Sequence, residues 1–303
     1  MICVKVNKKD VKKLLETKPL KFYTIDENSL IVKLEELPKA DIEYEIVDCK
    51  EVEGKKKRGL KLSDLIKGIR SFQIVGDIAL VSPKRSIDPE KLAESIMKVT
   101  KNVKAVYIRK RVSGELRVNE IIFAGGERRT RTIYKENGIR FVVDISKVYV
   151  NTSLSNERAK LAAEVDDHIK ILDAFSGYGA ITLNIAKIKQ VYIVSGDLNL
   201  DGLYLLKESL TLNKNLKGLI DIIQYDARYL PFREKSFDLV IADNPTMISL
   251  FKSEICRVGK ETIFYVLAHD NKEASNIIER ETDWIRVNDY SKNLFIFKGK
   301  VRC

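Results

Sequence analysis

The sequence has few residues of the kinds that build metal sites and disulfide frameworks. It contains two histidines and four cysteines in 303 residues. The cysteines are isolated from one another, with no C-x-x-C pair, at Cys3, Cys49, Cys256 and Cys303. Isolated cysteines without a neighbouring histidine give little support to a structural zinc site or a disulfide framework. We therefore expect four reduced thiols and no bound metal.

Long apolar stretches are also missing. No apolar run approaches the roughly 18 residues that cross a bilayer, and the first eight residues, MICVKVNK, are too polar for a secretory signal. Apolar residues nevertheless make up 45% of the chain, which suffices for a substantial core. These features predict a cytoplasmic protein without membrane association, and we expect it to be a monomer.

The net charge of +11 lies in one half of the chain. Residues 1–150 contain 33 Lys and Arg against 22 Asp and Glu, whereas residues 151–303 contain 21 of each kind. Residues 101–150 alone contain 12 basic against 5 acidic residues. A basic segment beside a neutral one indicates a polyanion partner for the first and chemistry in the second. The alternative is a charge that serves solubility, or the Lys- and Glu-rich surface of a heat-adapted protein.

The apolar periodicity divides the chain into three parts without an internal repeat. Residues 1–58 alternate like the strands of a small α/β domain, and the charged run Gly54–Gly59 at its end predicts an exposed linker. Residues 59–150 predict a second, basic α/β domain, with a helix at Pro89–Val99 and a strand at Glu115–Ile122 among its elements.

Residues 151–303 alternate between strand and helix patterns. Short apolar strands are predicted at residues 169–175, 191–197, 219–225, 237–242 and 262–268, with helices after the first two. Such alternating units imply a mostly parallel sheet that is covered on both faces.

The first of these strands runs into a glycine-containing loop, Asp173-Ala174-Phe175-Ser176-Gly177-Tyr178-Gly179. Glycine lets the backbone turn tightly and approach a ligand at the start of the following helix. The free N–H groups of that helix start suit a carboxylate. A glycine loop alone fits a nucleotide-binding dehydrogenase equally well. The candidate ligand-binding residues of the loop are Asp173, Phe175, Ser176, Gly177 and Gly179.

Three further strands also end in an acidic residue. Asp197 lies about 20 residues after the glycines, where an acid can accept hydrogen bonds from ribose hydroxyls. Asp226 follows the third strand, in a place suited to an adenine amino group, and Asp243 follows the fourth, where base methyltransferases carry a catalytic motif. The order of the four strand ends favours S-adenosylmethionine (SAM) over a dinucleotide as the cofactor. Leu198, Ala227 and Asp243 complete the predicted cofactor site, although any one of these acids alone can be a helix cap or turn residue.

The chain resembles, over nearly its whole length, the archaeal and eukaryotic tRNA (guanine-N1)-methyltransferases that act at position 37. The resemblance is strongest in Arg109–Arg117, Ala124–Arg128, Tyr134–Gly138, Val143–Tyr149 and Asn156–Arg158. It implies that residues 1–58 dock on the tRNA, residues 59–150 form a middle domain, and residues 151–303 carry the SAM-dependent methyltransferase domain. The predicted fold class is α/β, with a Rossmann-like class I methyltransferase domain preceded by two smaller α/β domains.

The resemblance also implies how the reaction proceeds. Guanine N1 is a poor nucleophile while it is protonated, so its methylation needs a base and a group that stabilises charge on O6. Glu157 matches the family's proton acceptor, Arg117 the arginine that holds O6, and Tyr149 a tyrosine that lines the target-base pocket. From the residues alone, Glu157 can instead be a helix-start carboxylate, and Arg117 an ordinary phosphate contact.

Three segments depart from the family pattern. Asp243-Asn244-Pro245 stands where the family has Asn-Leu-Pro, and Asn151-Thr152-Ser153 stands where it has Ser-Pro-Arg. Asp289–Lys292 lies where a C-terminal Ser-Tyr-Ala-Pro element is expected. We expect Asp243 and Pro245 beside the target base, where Asp243 can accept a hydrogen bond from guanine or share the base role with Glu157.

The tRNA partner is expected to contact basic residues in the first half of the chain, because neutralised phosphates release counterions. The candidates are Lys55–Arg58, Arg109, Lys110, Arg111, Arg128, Arg129 and Arg131.

Two other functions remain open. One is a wybutosine-pathway transferase that moves a methyl or aminocarboxypropyl group from SAM to a guanosine derivative in tRNA. The other is a non-catalytic tRNA-binding paralogue. Retention of Glu157, Arg117 and the strand-end acids argues against the paralogue.

Overall fold

The computed structural model describes the chain except for residues 16–18, 20, 25–27, 39–40, 53–56, 59–60, 67–68, 70, 84 and 115. Its contacts form two compact units. The first comprises residues 1–110 and 121–129, and the second comprises residues 111–120 and 130–303. The domain boundaries expected after residues 58 and 150 stay predictions.

The first unit begins with an antiparallel sheet in the order β4-β1-β3-β2-β5. Its strands are β1 (Ile2–Asn7), β2 (Lys21–Thr24), β3 (Ser29–Leu34), β4 (Tyr44–Val47) and β5 (Lys57–Arg58). Because side chains alternate along a strand, Val4 and Val6 of β1 face the same side as Leu30 and Val32 of β3. They pack with helix α1 (Val11–Leu14) in one apolar cluster.

The structure describes only part of the run that was expected to be an exposed linker. Lys57 and Arg58 form β5 and pair with Tyr23 and Phe22, so for these two residues the linker prediction is wrong. A charged run can still supply backbone hydrogen bonds to a sheet edge, and composition alone does not reveal that pairing. Lys55 and Lys56, together with Gly54 and Gly59, lie outside the described residues.

A second sheet has the strand order β6-β7-β8-β9. Its strands are β6 (Gln73–Val75), β7 (Ile78–Val81), β8 (Ala105–Ser113) and β9 (Val118–Gly126), and helices α2 (Leu62–Leu65) and α3 (Pro89–Val99) accompany them. Helix α3 begins at Pro89 as predicted, because Asp88 accepts hydrogen bonds from the N–H groups of Glu90 (3.1 Å) and Lys91 (3.4 Å). The tip of the β8–β9 hairpin, residues 111–120, belongs to the second unit.

A seven-stranded sheet forms the centre of the second unit, within residues 116–303, all of which the structure describes. The strand order is β14-β13-β12-β15-β16-β18-β17. The strands are β12 (Lys170–Asp173), β13 (Tyr192–Asp197), β14 (Leu219–Gln224), β15 (Phe237–Ala242), β16 (Gly259–Ala268), β17 (Ile285–Ser291) and β18 (Leu294–Arg302). Strands β12 to β16 are parallel, which confirms the predicted sheet, and β17 and β18 add an antiparallel hairpin.

The winding of this sheet reverses beside β12. Strand β13 pairs with one edge of β12 and β15 with the other, so the connections leave the first strand in opposite directions. In open α/β sheets such a reversal leaves a ligand crevice at the carboxyl ends of the strands. Asp173, Asp197 and Asp243 all lie at those ends.

Helices cover both faces of the sheet. They are α4 (Ser155–Glu164), α5 (Ala180–Ile188), α6 (Leu200–Leu212), α7 (Lys252–Val258) and α8 (Asn271–Ile278), and the hairpin β10 (Arg131–Glu136) and β11 (Ile139–Asp144) precedes them. Successive strand residues point to opposite faces. Thus Ile171 and Ile241 belong to one apolar cluster, whereas Leu172 and Val240 belong to the other. In the described part of the chain no helix is long and apolar enough to span a membrane.

The expectation of four reduced thiols is wrong. Cys3 is bonded to Cys49 and Cys256 to Cys303, with Cα atoms 5.3 and 4.9 Å apart, within the range that a disulfide spans. Sequence spacing did not reveal either pair, since partners 46 and 47 residues apart meet only through the fold. The second bridge joins α7 to the residue that follows β18.

Candidate active site

Asp173 closes β12 in a fully buried position. Its Oδ2 accepts hydrogen bonds from the backbone N–H (3.2 Å) and the hydroxyl (2.7 Å) of Thr182 on α5. Burial raises the pKa of Asp173 to about 7, against the effect of these hydrogen bonds. Its other oxygen, Oδ1, is buried without a hydrogen-bond partner. Asp173 therefore joins strand to helix and keeps one acceptor unused.

The two glycines after Asp173 meet different requirements. Gly179 has a φ of +82° and precedes the first residue of α5. A Cβ there would lie 2.2 Å from Cδ1 of Leu206, so a larger residue would displace α6. Gly177, with a φ of +51°, donates its N–H to Oδ2 of Asp197 at 2.7 Å. The turn thus brings the loop against the end of the neighbouring strand.

Asp197 at the end of β13 is held by backbone donors on both oxygens. Besides the bond from Gly177, Oδ1 accepts the N–H of Asn199 at 2.8 Å. Burial raises its pKa even though these hydrogen bonds favour the charged form. The next residue, Leu198, leaves 37% of its surface exposed at the same edge. A carboxylate oxygen has two lone pairs, so each oxygen can still accept from a ligand hydroxyl.

Asp226 after β14 is bound to a residue of its own loop. The guanidinium of Arg228 donates from Nε to Oδ1 (3.0 Å) and Oδ2 (2.9 Å) and from Nη2 to Oδ2 (2.6 Å). This pairing lowers the pKa of Asp226, whose side chain is 29% exposed. Beneath it Ala227 is buried, and Tyr225 donates its hydroxyl to the carbonyl of Ala174 at 3.2 Å.

Buried polar atoms without partners are concentrated at this edge of the sheet. Among the described residues they are Asp173 Oδ1, Ser176 Oγ, Tyr178 Oη and Asn244 Oδ1, with Asn119 Oδ1 elsewhere. Unsatisfied buried polar groups are rare in proteins and call for an explanation. Four of them at the carboxyl ends of β12 and β15 fit a polar ligand that supplies the missing hydrogen bonds. Beside them, Phe175 packs on Phe251 with ring centres 5.2 Å apart.

Arg117 lies at the tip of the β8–β9 hairpin, and this tip belongs to the second unit. Of the strand expected at residues 115–122, residue 115 lies outside the described residues, and the strand begins at Val118, because Arg117 has a φ of +50° and donates its N–H to the carbonyl of Gly114 at 3.1 Å. A left-handed backbone is uncommon for arginine and often marks a functional turn. The guanidinium donates to Oγ1 of Thr246 and lies 5.4 Å above the ring centre of Tyr149.

Glu157 lies in the first turn of α4. Its Oε1 accepts the hydroxyl of Tyr265 at 3.0 Å and is 2.9 Å from Nζ of Lys298. The next residue, Arg158, is buried and donates from Nε to Oε1 of Glu136 at 2.6 Å. This second ion pair fixes the start of α4, so the backbone of Glu157 has little freedom.

Asp243 follows the last residue of β15, directly beside β12 and its Asp173. It keeps some exposed surface, but the surrounding protein excludes enough water that burial raises its pKa. Arg158 and Arg117 act to lower this pKa and Glu157 to raise it, which places these charged groups in one electrostatic neighbourhood. Pro245, two residues on, accepts the N–H of Leu267 through its carbonyl at 3.1 Å.

The basic candidates differ in their partners. Arg111 is 2.8 Å from Glu120, Arg129 forms ion pairs with Asp77 and Glu127, and Arg131 pairs with Glu208. Arg109 instead donates to Oγ of Ser82 at 3.1 Å. Arg128 is exposed and lies 5.6 Å above the ring centre of Phe123. Arg109, Lys110 and Arg128 have no carboxylate within ion-pair distance among the described residues.

Comparison with known proteins decides the family. The sequence model of the TRM5/TYW2 methyltransferase domain matches residues 132–292. The tRNA (guanine(37)-N(1))-methyltransferase Trm5b of Methanocaldococcus jannaschii is 30% identical over 93% of this chain and 91% of its own. The chain belongs to the TRM5/TYW2 methyltransferase family. It is a SAM-dependent methyltransferase with a class I Rossmann-like domain, so the predicted family, enzyme class, cofactor and fold class are confirmed.

Two further proteins resemble this chain. A tRNA (guanine(37)-N(1))/4-demethylwyosine(37)-methyltransferase, Taw22 of Nanoarchaeum equitans, is 37% identical over 43% of each chain. The solved complex of aTrm5 with tRNALeu has a TM-score of 0.70 and 27% identity, and the match covers 100% of this chain and 99% of that one.

Four residues of the site were not among the sequence candidates. Thr246 contacts Arg117, Tyr265 and Lys298 contact Glu157, and Tyr178 has a buried, unpartnered hydroxyl. Tyr178 lies within the glycine loop and Thr246 directly follows Asp243-Asn244-Pro245, whereas Tyr265 and Lys298 belong to no motif. Among the described residues no group of three or more His, Cys, Asp and Glu side chains can hold a metal ion.

Proposed function

We propose that this chain transfers the methyl group of SAM to N1 of guanosine 37 in a tRNA. The observation that carries the proposal is the gathering of Arg117, Tyr149, Glu157 and Asp243 at the strand ends next to the glycine loop. The M. jannaschii relative, named for this reaction, matches over nearly the whole chain. A cation, an aromatic ring and two carboxylates suit a guanine that must lose a proton.

The cofactor would lie across the carboxyl ends of β12, β13 and β14. The unpartnered Ser176 hydroxyl and the start of α5 suit the methionine end, because exposed N–H groups bind a carboxylate. Asp197 would accept the ribose hydroxyls with the lone pairs that the loop leaves available. Asp226 would accept the adenine amino group, sharing its carboxylate with Arg228. SAM supplies an electrophilic methyl group at this place.

The target guanine would lie between the cofactor and α4, against Tyr149 and Pro245. Arg117 would stabilise negative charge on O6, and Glu157 would accept the N1 proton. As the N1–carbon bond forms, the sulfur–carbon bond of SAM breaks and the proton passes to the carboxylate. A cation at O6 favours the deprotonated base, so the two residues act on the same step.

The tRNA would be held mainly by the basic first half of the chain. Arg109, Lys110 and Arg128 are the leading candidates, since no described carboxylate competes for their charge. Arg111, Arg129 and Arg131 would have to share their guanidinium groups with protein carboxylates. Lys57 and Arg58, and the undescribed Lys55 and Lys56, complete the proposed set.

A second candidate is methylation of 4-demethylwyosine at the same nucleotide, in addition to or instead of guanosine. It is favoured by Asp243, which puts a carboxylate where the resemblance predicts an amide, and by the name of the N. equitans relative. A buried acid with a raised pKa can donate a hydrogen bond when protonated or accept one when charged. It would therefore read a tricyclic base differently from an amide.

Mass spectrometry of nucleosides tests both candidates. The protein would be incubated with methyl-labelled SAM and tRNA that carries either guanosine or 4-demethylwyosine at position 37. Labelled 1-methylguanosine from the first substrate supports the main proposal, and label in the second substrate, with or without label in the first, supports the second candidate. Label at another atom or nucleotide, or none at all, would reject both.

A further inference from the structure

We propose that Tyr265 and Lys298 are positioning residues that hold one oxygen of Glu157, so that the other receives the proton of the target base. The proposal rests on the proposed function, in which Glu157 is the proton acceptor. It adds two residues on separate strands that neither touch the substrate nor belong to a recognisable motif.

The two residues are direct neighbours across the sheet. Tyr265 of β16 is paired with Lys298 of β18 in an antiparallel ladder, so their side chains leave the same face side by side. The Tyr265 hydroxyl is 3.0 Å, and the Lys298 ammonium 2.9 Å, from the same atom, Oε1 of Glu157. Two donors on one oxygen fix both the position and the rotation of the carboxylate. No described contact involves its Oε2.

The contact between Glu157 and its two donors is buried, unlike a surface ion pair. Tyr265 is 2% exposed, and the side chains of Lys298 and Glu157 are 8% and 12% exposed. Burying a lysine is costly unless it is paired, and the cost falls on the fold. Lys298 has a second carboxylate, Glu164, at 2.9 Å on the last turn of α4, and this partner is 55% exposed. Lys298 thus spans two turns of α4, but only its Glu157 contact is shielded from water.

Both donors keep their protons throughout the useful pH range. Burial acts to lower the pKa of Lys298, but Glu164 and Glu157 outweigh it and raise that pKa. Burial, with Glu157 and Asp243 nearby, raises the pKa of Tyr265 well above its ordinary value. The charged ammonium and the neutral phenol can therefore both donate to Glu157, whose carboxylate is the acceptor in both contacts.

The remaining charged groups around α4 do not replace these donors. Asp243 is an acceptor or a neutral acid in the same neighbourhood, where burial raises its pKa and Arg158 and Arg117 act to lower it. Arg158 is engaged with Glu136, and Arg117 with Thr246. A purely structural role for Lys298, fastening α4 to the sheet, predicts lost stability without a specific effect on chemistry. A positioning role predicts that the effect acts through Glu157.

A double-mutant cycle in the full-length protein separates these roles. Tyr265→Phe and Lys298→Met would each be made alone and combined with Glu157→Gln, and single-turnover methylation measured with saturating SAM and tRNA. We expect Tyr265→Phe and Lys298→Met each to slow the reaction roughly 10–100-fold, the range for losing a hydrogen bond to a charged acceptor. Neither should change tRNA or SAM dissociation constants more than about twofold, and both effects should vanish in the Glu157→Gln background.

Two variants complete the design. Glu164→Gln removes the other partner of Lys298 and should leave the rate within about twofold, whereas Lys298→Arg should restore part of what Lys298→Met loses. If Lys298→Met does not fold, Tyr265→Phe alone still tests whether the effect on the rate depends on Glu157. Equal slowing by Tyr265→Phe with and without Glu157 would overturn the proposal.

Failure of the proposed function would look different. If Glu157→Gln itself kept the normal rate, the base assignment would be wrong and the positioning role would fall with it. The contact could then still be seen as coupling between Lys298 and Glu157 in unfolding free energies. If Glu157→Gln abolished the rate but the Tyr265 effect were additive, only the positioning role would be wrong.

Discussion

The proposed cofactor side of the site (Asp173, Asp197 and Asp226) and its proposed target-base side (Arg117 and Glu157) are built from contacts that span very different distances in sequence. On the cofactor side the contacts join Asp226 to Arg228, Asp173 to Thr182 and Asp197 to Gly177, across 2, 9 and 20 residues. On the target-base side they join Arg117 to Thr246 and Glu157 to Tyr265, across 129 and 108 residues. One side follows from single βα units, and the other requires the whole second unit to be assembled.

The difference also concerns what each side does. Backbone N–H groups hold Asp197, and such groups are fixed once the turn has formed. Side chains on other strands hold Glu157, and a single substitution can remove them. We therefore expect substitutions on the cofactor side to change SAM affinity, and substitutions on the target-base side to change the chemical step.

The largest expected effect is on the target-base side. Glu157→Gln keeps the shape but cannot accept a proton, so single-turnover methylation should slow by roughly 10²–10⁴-fold, the usual contribution of a positioned base. The dissociation constants of SAM and tRNA should barely move. Asp243→Asn and the double variant belong in the same series, because Asp243 can also take the proton. A near-normal rate for Glu157→Gln together with an inactive Asp243→Asn would transfer the base role to Asp243.

A smaller effect is expected on the cofactor side. Asp197→Ala should weaken SAM binding by about 1.5–3 kcal/mol, the range for hydrogen bonds to a charged acceptor. Titration calorimetry with SAM measures the change directly. Asp238→Ala is a matched control, because Asp238 is an acid of the same sheet near the start of β15, at the edge opposite the carboxyl ends of the strands. Unchanged SAM affinity in folded Asp197→Ala would mean that the ribose lies elsewhere.

The buried acid of the cofactor side predicts a pH dependence of stability. Burial raises the pKa of Asp173 from 3.8 to about 7, so the folded chain binds a proton that the unfolded chain has lost between these values. Stability without SAM should therefore fall as the pH rises through this window. Between about pH 5 and pH 7.5, the free energy of unfolding measured in urea should fall by an amount on the order of 1–4 kcal/mol. Asp173→Asn should reduce this fall.

The control for this series is Asp238→Asn. Lys260 and the N–H of Lys170 lower the pKa of Asp238, so its contribution to stability is lost only at more acidic pH. Asp238→Asn should therefore leave the difference in unfolding free energy between the two pH values unchanged. Asp197 and Asp243 also have raised pKa values and should preserve part of the slope in Asp173→Asn. A slope that is identical with and without Asp173 would contradict the prediction.

The smallest expected effect concerns the basic residues proposed to bind tRNA, which lie outside both sides of the site. Arg128→Ala should weaken tRNA binding several-fold and lower the slope of log affinity against log salt by roughly 0.7–0.9, the value for one phosphate contact. Arg129→Ala should change the slope less, because Arg129 is already paired with Asp77 and Glu127. Filter binding at several salt concentrations measures both. A larger loss for Arg129 would show that its ion pairs open to bind phosphate.

Much of the cofactor side was predictable from sequence. The glycine turn and the acids at 173, 197, 226 and 243 each follow an apolar strand, and parallel strands bring their carboxyl ends to one edge. Helix α3 was also predictable, because its cap Asp88 and its Pro89 are adjacent to it in sequence. The C-terminal strands β17 and β18 were not predicted, since polar and charged residues hide the alternation in β17, and β18 begins with a short apolar run, residues 294–297, instead of an alternation.

The sequence by itself determined the five parallel strands of the second unit and the helices after the first two, the acids at the strand ends and the family to which the chain belongs. These depend on short-range steric and apolar patterns that survive in any correct fold. Only the tertiary structure decided the disulfides, the contact of Arg117 with Thr246 and the Tyr265–Lys298 pair on Glu157. Each of these depends on residues distant in sequence, and their approach is set by how sheet and helices pack. Local sequence patterns carry no information about contacts between residues so far apart in sequence. The partners of Glu157 were therefore identified only from the three-dimensional structure.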